Sequence, residues 1–190
     1  ELMYKLLELL HPKKVIVPAP SFSEYRLSAE AAGCLVDSFL LKADQGFALP
    51  LEEIEKKLLP HSLIYLGHPN NPDGQMLSPS DFEAVLHLVK KKESFLIIDE
   101  SFIDFVGDDV SYRHVLVNET SGAVVMSLTK FYAVPGLRIG AACLHPALAE
   151  RLQDTLIPWN VNGLAQSYMT AATQDIDYIR NSRVYCQAER

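Results

Sequence analysis

Phe95-Leu96-Ile97-Ile98, followed at once by Asp99-Glu100-Ser101-Phe102-Ile103-Asp104-Phe105, decides the fold. Four apolar residues in a row are too few for a helix, and they do not alternate with polar ones, so they read as a strand buried on both faces. The same pattern recurs at Val15-Ile16-Val17, Leu35 to Leu41, Leu63-Ile64-Tyr65-Leu66, Ala123-Val124-Val125-Met126 and Leu137 to Leu144. Between these runs lie stretches with helical spacing: Leu2 to Leu10, Ser21 to Gly33, Pro50 to Leu59, and Ser80 to Lys91 entered through Ser78 and Pro79. Strand and helix alternate, which predicts an α/β chain, a three-layer fold whose mostly parallel sheet carries helices on both faces. After Pro146 the pattern turns helical, with Leu148, Leu152 and Leu156 on one face, a break at Pro158, and more helix from about Val161.

Composition narrows the function. The 190 residues are 48% hydrophobic and 22% charged, which is enough apolar material for one packed domain. A net charge of −7 offers no basic stripe for phosphate backbones, so neither nucleic acid nor an acidic membrane surface is expected as a partner. Small molecules and other protein chains are. Cys34, Cys143 and Cys186 are odd in number and widely spaced, as reduced thiols would be, and this predicts a cytoplasmic protein. No apolar run approaches membrane-spanning length, the first residues lack a basic signal-peptide region, and no metal site is expected.

In open α/β sheets, ligands gather at the carboxyl ends of the strands. Three consecutive strand ends carry polar clusters: Gly67-His68-Pro69-Asn70-Asn71-Pro72-Asp73-Gly74, then Asp99 to Phe105, then Ser127-Leu128-Thr129-Lys130-Phe131-Tyr132-Ala133-Val134-Pro135-Gly136-Leu137-Arg138-Ile139-Gly140. Singly, each has a plain explanation: a turn at Asn-Pro-Asp-Gly, a helix cap at Asp99, a solvated surface lysine at Lys130. A nucleotide-binding Gly-x-Gly-x-x-Gly after a strand is missing.

In order and together, the three clusters resemble the fold-type I pyridoxal-phosphate enzymes, the aminotransferase superfamily. Ser127-x-x-Lys130 with Gly136-Leu137-Arg138-x-Gly140, Asn70-Asn71-Pro72-x-Gly74, and Asp99-Glu100 ending in Phe105 stand in that family's places. The resemblance implies pyridoxal 5'-phosphate as cofactor, held as a Schiff base by Lys130. It implies Asp99 on the pyridine nitrogen, Asn71 on the phenolic oxygen, and Ser127 and Arg138 on the phosphate. Phe22 would stack on the ring, its plainer alternative being a core aromatic on an amphipathic helix. Two branches lie close, histidinol-phosphate aminotransferase and L-threonine-O-3-phosphate decarboxylase. The wording of the lysine segment, the stretch Pro158-Trp159-Asn160-Val161-Asn162-Gly163-Leu164-Ala165, and Phe102 in place of a tyrosine resemble the decarboxylase.

The same resemblance divides the chain into a cofactor domain, 1–158, and helices 159–190 leading toward a small C-terminal domain. It implies that a Gly-Asn-Gly phosphate cup and the substrate-carboxylate arginine fall outside the 190 residues, that the full-length protein is a homodimer, and that its substrate is a small phosphorylated amino acid or amino alcohol. By itself the segment is expected to lack activity, and the alternative to a parent enzyme is a non-catalytic folded domain.

Overall fold

A computed structural model describes residues 1–189; position 190, the end of the expected connecting helices, lies outside the described residues. The chain runs α1 (Leu2–Leu10), β1 (Lys14–Ala19), α2 (Glu24–Ala31), β2 (Leu35–Leu40), α3 (Leu51–Lys57), β3 (Ser62–Gly67), α4 (Pro79–Lys91) and β4 (Phe95–Asp99). It continues through α5 (Arg113–Leu116), β5 (Gly122–Ser127), β6 (Gly140–Leu144), α6 (Pro146–Gln153), α7 (Gly163–Ala172) and α8 (Ile176–Ala188). The six strands form one sheet in the order β2-β1-β3-β4-β5-β6. All neighbours are parallel except β6, which returns antiparallel to β5 with Ser127 opposite Gly140.

The continuous apolar runs now have their cause. Side chains alternate across a strand, so each run feeds two cores at once. Ile64, Leu66, Leu96, Ile98 and Val124 face Ile54, Leu58, Val85 and Val89 of α3 and its neighbour α4. Leu63, Tyr65, Phe95, Ile97 and Val125 face Leu6 and Leu7 of α1, Tyr25 and Ala29 of α2, and Leu148 and Leu152 of α6. β3 and β4 are buried at every residue. Ile64 is fully buried in this arrangement, and Ile64→Ala should cost about 2–5 kcal/mol, read as a lower urea midpoint without a change of fold.

Several boundaries differ from the sequence expectation. The helix expected from Ser21 begins only at Glu24, because the Ser21 hydroxyl donates to the Pro18 carbonyl at 2.6 Å and holds the chain in a turn. Phe22 therefore precedes the helix. The strand expected from Leu137 begins at Gly140: Pro135–Leu137 form a single 3-10 turn, and Arg138 takes a left-handed conformation with φ 53°. Helix α6 ends at Gln153, leaving Leu156 beyond it, while the four-residue α5 is too short to show a period. Ser78 caps α4 by accepting from the Asp81 N–H at 3.1 Å, and Asn162 caps α7 in the same way from Ala165 at 2.9 Å.

Candidate active site

The parallel register sets the carboxyl ends of β3, β4 and β5 side by side, with Gly67 beside Asp99 and Asp99 beside Val125. A cleft opens there. Asp99 is its buried floor, the exposed Lys130 and Asn71 stand at its rim, and Phe22 and Phe102 supply aromatic wall. Four of the six residues proposed from sequence thus share one cavity although 108 positions separate Phe22 from Lys130.

Asp99 is 6% exposed and still fully partnered. Its Oδ1 accepts from the Ser101 N–H at 2.9 Å and the Ser101 hydroxyl at 2.5 Å, and its Oδ2 accepts from the Tyr25 hydroxyl at 3.0 Å. Tyr25 stacks on Tyr65 with ring centroids 4.9 Å apart and 4° between planes. Burial, followed by the Asp99 charge, pushes the Tyr25 phenol well up, so it keeps its proton and serves Asp99 only as a donor.

The Asn71 rim is set by its neighbour. Asn70 donates through Nδ2 to Asp73 at 2.7 Å and to the Pro20 carbonyl at 3.3 Å, tying the Asn71 turn to the loop that carries Phe22. Gly67 permits this close return, since a Cβ there would lie 2.7 Å from the Asn70 Cα. His68 pins the far end of the turn: its Nδ1 accepts from the Leu77 N–H at 3.0 Å, which leaves Nε2 protonated and donating to the Val110 carbonyl at 2.9 Å. Burial lowers its pKa, in keeping with a neutral ring.

Lys130 is exposed, and its ammonium donates to the Ser127 hydroxyl at 2.8 Å. The segment behind it is clamped by the last two helices. Tyr168 of α7 donates to the Tyr132 carbonyl at 3.1 Å, Tyr178 of α8 donates to the Phe131 carbonyl at 2.6 Å, and Met169 of α7 shares a buried cluster with the Phe131 and Tyr132 side chains. Ser127 and Arg138 occupy the two arms of the β5–β6 hairpin at the same end of the sheet, but neither lines the cleft. Arg138 is exposed and donates to the Pro135 carbonyl at 2.9 Å. Asn162, from the Pro158 to Ala165 segment, fastens this hairpin by donating to the Leu137 carbonyl at 2.9 Å.

Two residues of the cleft escape a reading of the sequence. Tyr25 looks like any apolar position of α2, since nothing local reveals an acceptor 74 positions away. Ser101 has a faint signal, an Asp-x-Ser at a strand end, where a carboxylate often accepts from the N–H two residues on.

The cleft combines a buried acceptor, an amide, an amine and aromatic faces, a set that fits a flat, charged heteroaromatic aldehyde. The sequence profile described as aminotransferase class I and II matches residues 2–190. The chain belongs to that family. Among curated proteins, the threonine-phosphate decarboxylase of Salmonella typhimurium is 32% identical over 167 residues, covering 87% of this chain and 46% of that protein. The histidinol-phosphate aminotransferase of Limosilactobacillus fermentum is 33% identical over 182 residues, covering 93% of this chain and 49% of that protein. Among solved structures, the histidinol-phosphate aminotransferase from Clostridium acetobutylicum superposes with a TM-score of 0.84 at 28% identity, over 96% of this chain and 55% of that one. The chain spans about half the length of the curated relatives it matches. Pyridoxal phosphate is the cofactor of class I and II aminotransferases, as the resemblance implied. Among the described residues, no helix is long and apolar enough to cross a membrane.

Proposed function

We propose that this chain is the cofactor-holding part of an enzyme that decarboxylates L-threonine O-3-phosphate to aminopropanol phosphate, a step of cobalamin biosynthesis. The wording of the Lys130 segment carries the reading, together with Pro158 to Ala165. Phe102, whose ring lines the cleft with Asp99 and Lys130 and which resembles the decarboxylase in lacking the tyrosine hydroxyl, supports it, as does the Salmonella relative.

When bound, the cofactor supplies an electron sink for the pair left behind as the bond between Cα and the carboxylate breaks. Asp99 holds a proton on the pyridine nitrogen, since a carboxylate at contact distance favours the cationic ring. Asn71 donates to the phenolic oxygen, and with Phe102 lacking a hydroxyl it does so without help from that wall. Phe22 covers one face of the ring. Ser127 and Arg138, which flank the cleft end of the β5–β6 hairpin, would hold the phosphate, Arg138 as a planar fork suited to its oxygens once it exchanges the Pro135 carbonyl for them. The Lys130 amine would hold the cofactor and, freed by substrate, would deliver a proton to Cα. The full-length protein is proposed to work as a cytoplasmic homodimer.

A second reading is histidinol-phosphate aminotransferase, favoured by the Limosilactobacillus relative and the Clostridium structure. Both substrates carry a phosphate, so the distinction lies in the carboxylate that histidinol phosphate lacks. Full-length protein given L-threonine phosphate should release carbon dioxide, and given histidinol phosphate with 2-oxoglutarate should make no glutamate. Glutamate without carbon dioxide would establish the second reading instead.

A further inference from the structure

The Asp99 carboxylate and the Lys130 segment belong to different strands, and one side chain joins them. Ser101 sits two residues past Asp99. Its hydroxyl accepts from the Ser127 N–H at 3.1 Å and meets Asp99 Oδ1 at 2.5 Å. The direction of the bridge is fixed by chemistry, because a backbone N–H only donates and a carboxylate only accepts. The single Ser101 proton must therefore point at Asp99. Beyond Ser127 the line continues through its own hydroxyl, which accepts from Lys130 Nζ at 2.8 Å and lies 2.8 Å from the Thr129 hydroxyl.

We infer that Ser101 is a positioning residue that locks the Asp99 carboxylate to the end of β5, so that the group facing the ring nitrogen and the amine facing the aldehyde are held at one fixed spacing. The inference rests on the reading of Asp99 and Lys130 as cofactor residues. Tyr25 fixes the other carboxylate oxygen from α2, where it stacks on Tyr65 of β3, and makes no hydrogen bond to the end of β5. Among the described residues, Ser101 is the side chain that hydrogen-bonds to both the Asp99 carboxylate and the end of β5. Its own N–H adds a second bond to Oδ1, so loss of the hydroxyl would leave Asp99 held by that N–H and by Tyr25 but no longer tied to the end of β5. Ser127 N–H would lose its acceptor at the same time. A bond to a charged oxygen is among the stronger hydrogen bonds, and its geometry matters most where two groups must engage one rigid ligand.

The test compares the unsubstituted full-length protein with Ser101→Ala and Ser101→Thr, which keeps the hydroxyl. Pyridoxal phosphate titration, followed by the absorption of the bound form, should show affinity weakened by about tenfold or more in Ser101→Ala, the loss expected for one charge-assisted bond. The pH profile of that absorption should move as well. In the cofactor-free protein, hydrogen exchange at the Ser127 amide should quicken in Ser101→Ala. Ser101→Thr should stay near the unsubstituted protein in all three readouts. Unchanged affinity and pH profile in Ser101→Ala overturn the inference, and so does a loss in Ser101→Thr as large as that in Ser101→Ala. If the unsubstituted protein takes up no cofactor, the reading of Asp99 and Lys130 falls and the inference with it. Exchange at Ser127 would then show the bridge to be a structural contact only.

Discussion

Lys130→Ala in the full-length protein should eliminate covalent retention of pyridoxal phosphate and lower turnover by at least about 10³-fold, because one amine both carries the cofactor and moves the proton. Borohydride reduction of the unsubstituted protein followed by peptide mapping should place the label on the peptide containing Lys130. The competing lysines are poorly prepared for the task. Lys57 is paired with Asp37 at 3.0 Å, and the hydrogen bond to that carboxylate, strengthened by its charge, raises the ammonium's pKa and keeps it protonated. Lys42 lies at the start of a 3-10 turn in the connection after β2 and lines neither this cleft nor its rims. Lys130 instead leans on a neutral hydroxyl at the rim of a cleft. Recovery of the label on Lys42 or Lys57 would reject the assignment.

The apolar runs were sufficient to read six strands and an α/β class, most plainly in β3 and β4, where burial at every residue leaves no polar alternation to misread. They could not reveal that β6 runs antiparallel. That depends on the tight turn from Lys130 to Arg138, where Pro135 and the left-handed Arg138 reverse the chain within a segment too short for a crossover helix. Phe22 shows how local spacing alone could mislead. The resemblance put it against the cofactor, while its helical spacing left open a core position on α2; the Ser21 turn delays the helix and leaves the ring in the cleft wall. Asp99, Asn71 and Lys130 were legible because a strand end is a place the sequence marks. Tyr25 was hidden because its role depends on the crossing of α2 over the sheet, a tertiary fact with no local trace.

Asp99 and Glu100 are adjacent carboxylates, and substituting each by Ala should separate chemistry from stability. Successive side chains at a strand end point to opposite faces. Asp99 turns into the cleft; Glu100, 1% exposed, turns away and accepts from the Ser111 hydroxyl at 2.5 Å and the Tyr112 N–H at 2.7 Å. Asp99→Ala should cost about 10²–10³-fold in turnover, the range seen when one preorganised electrostatic contact is removed. Its fold should survive, since the β4 ladder is made by backbone groups that the substitution leaves intact, although the Tyr25 hydroxyl and the Ser101 N–H and hydroxyl lose their acceptor and stability falls by the same mechanism as in Glu100→Ala. Glu100→Ala leaves two buried donors without an acceptor and should cost about 1–3 kcal/mol for each, with turnover of the folded protein within a few-fold of the unsubstituted enzyme. Glu100 also has a pH signature. Burial raises its pKa against the lowering effect of Ser111 and Tyr112, so the folded state binds this proton more tightly than the unfolded state does. The contribution of this group to stability must then decline as pH rises from the ordinary carboxylate range through the raised folded value. Urea midpoints measured across that range should show the decline in the unsubstituted protein and lose it in Glu100→Gln. Equal turnover in Asp99→Ala and Glu100→Ala, once both are shown to be folded, would remove Asp99 from the chemistry.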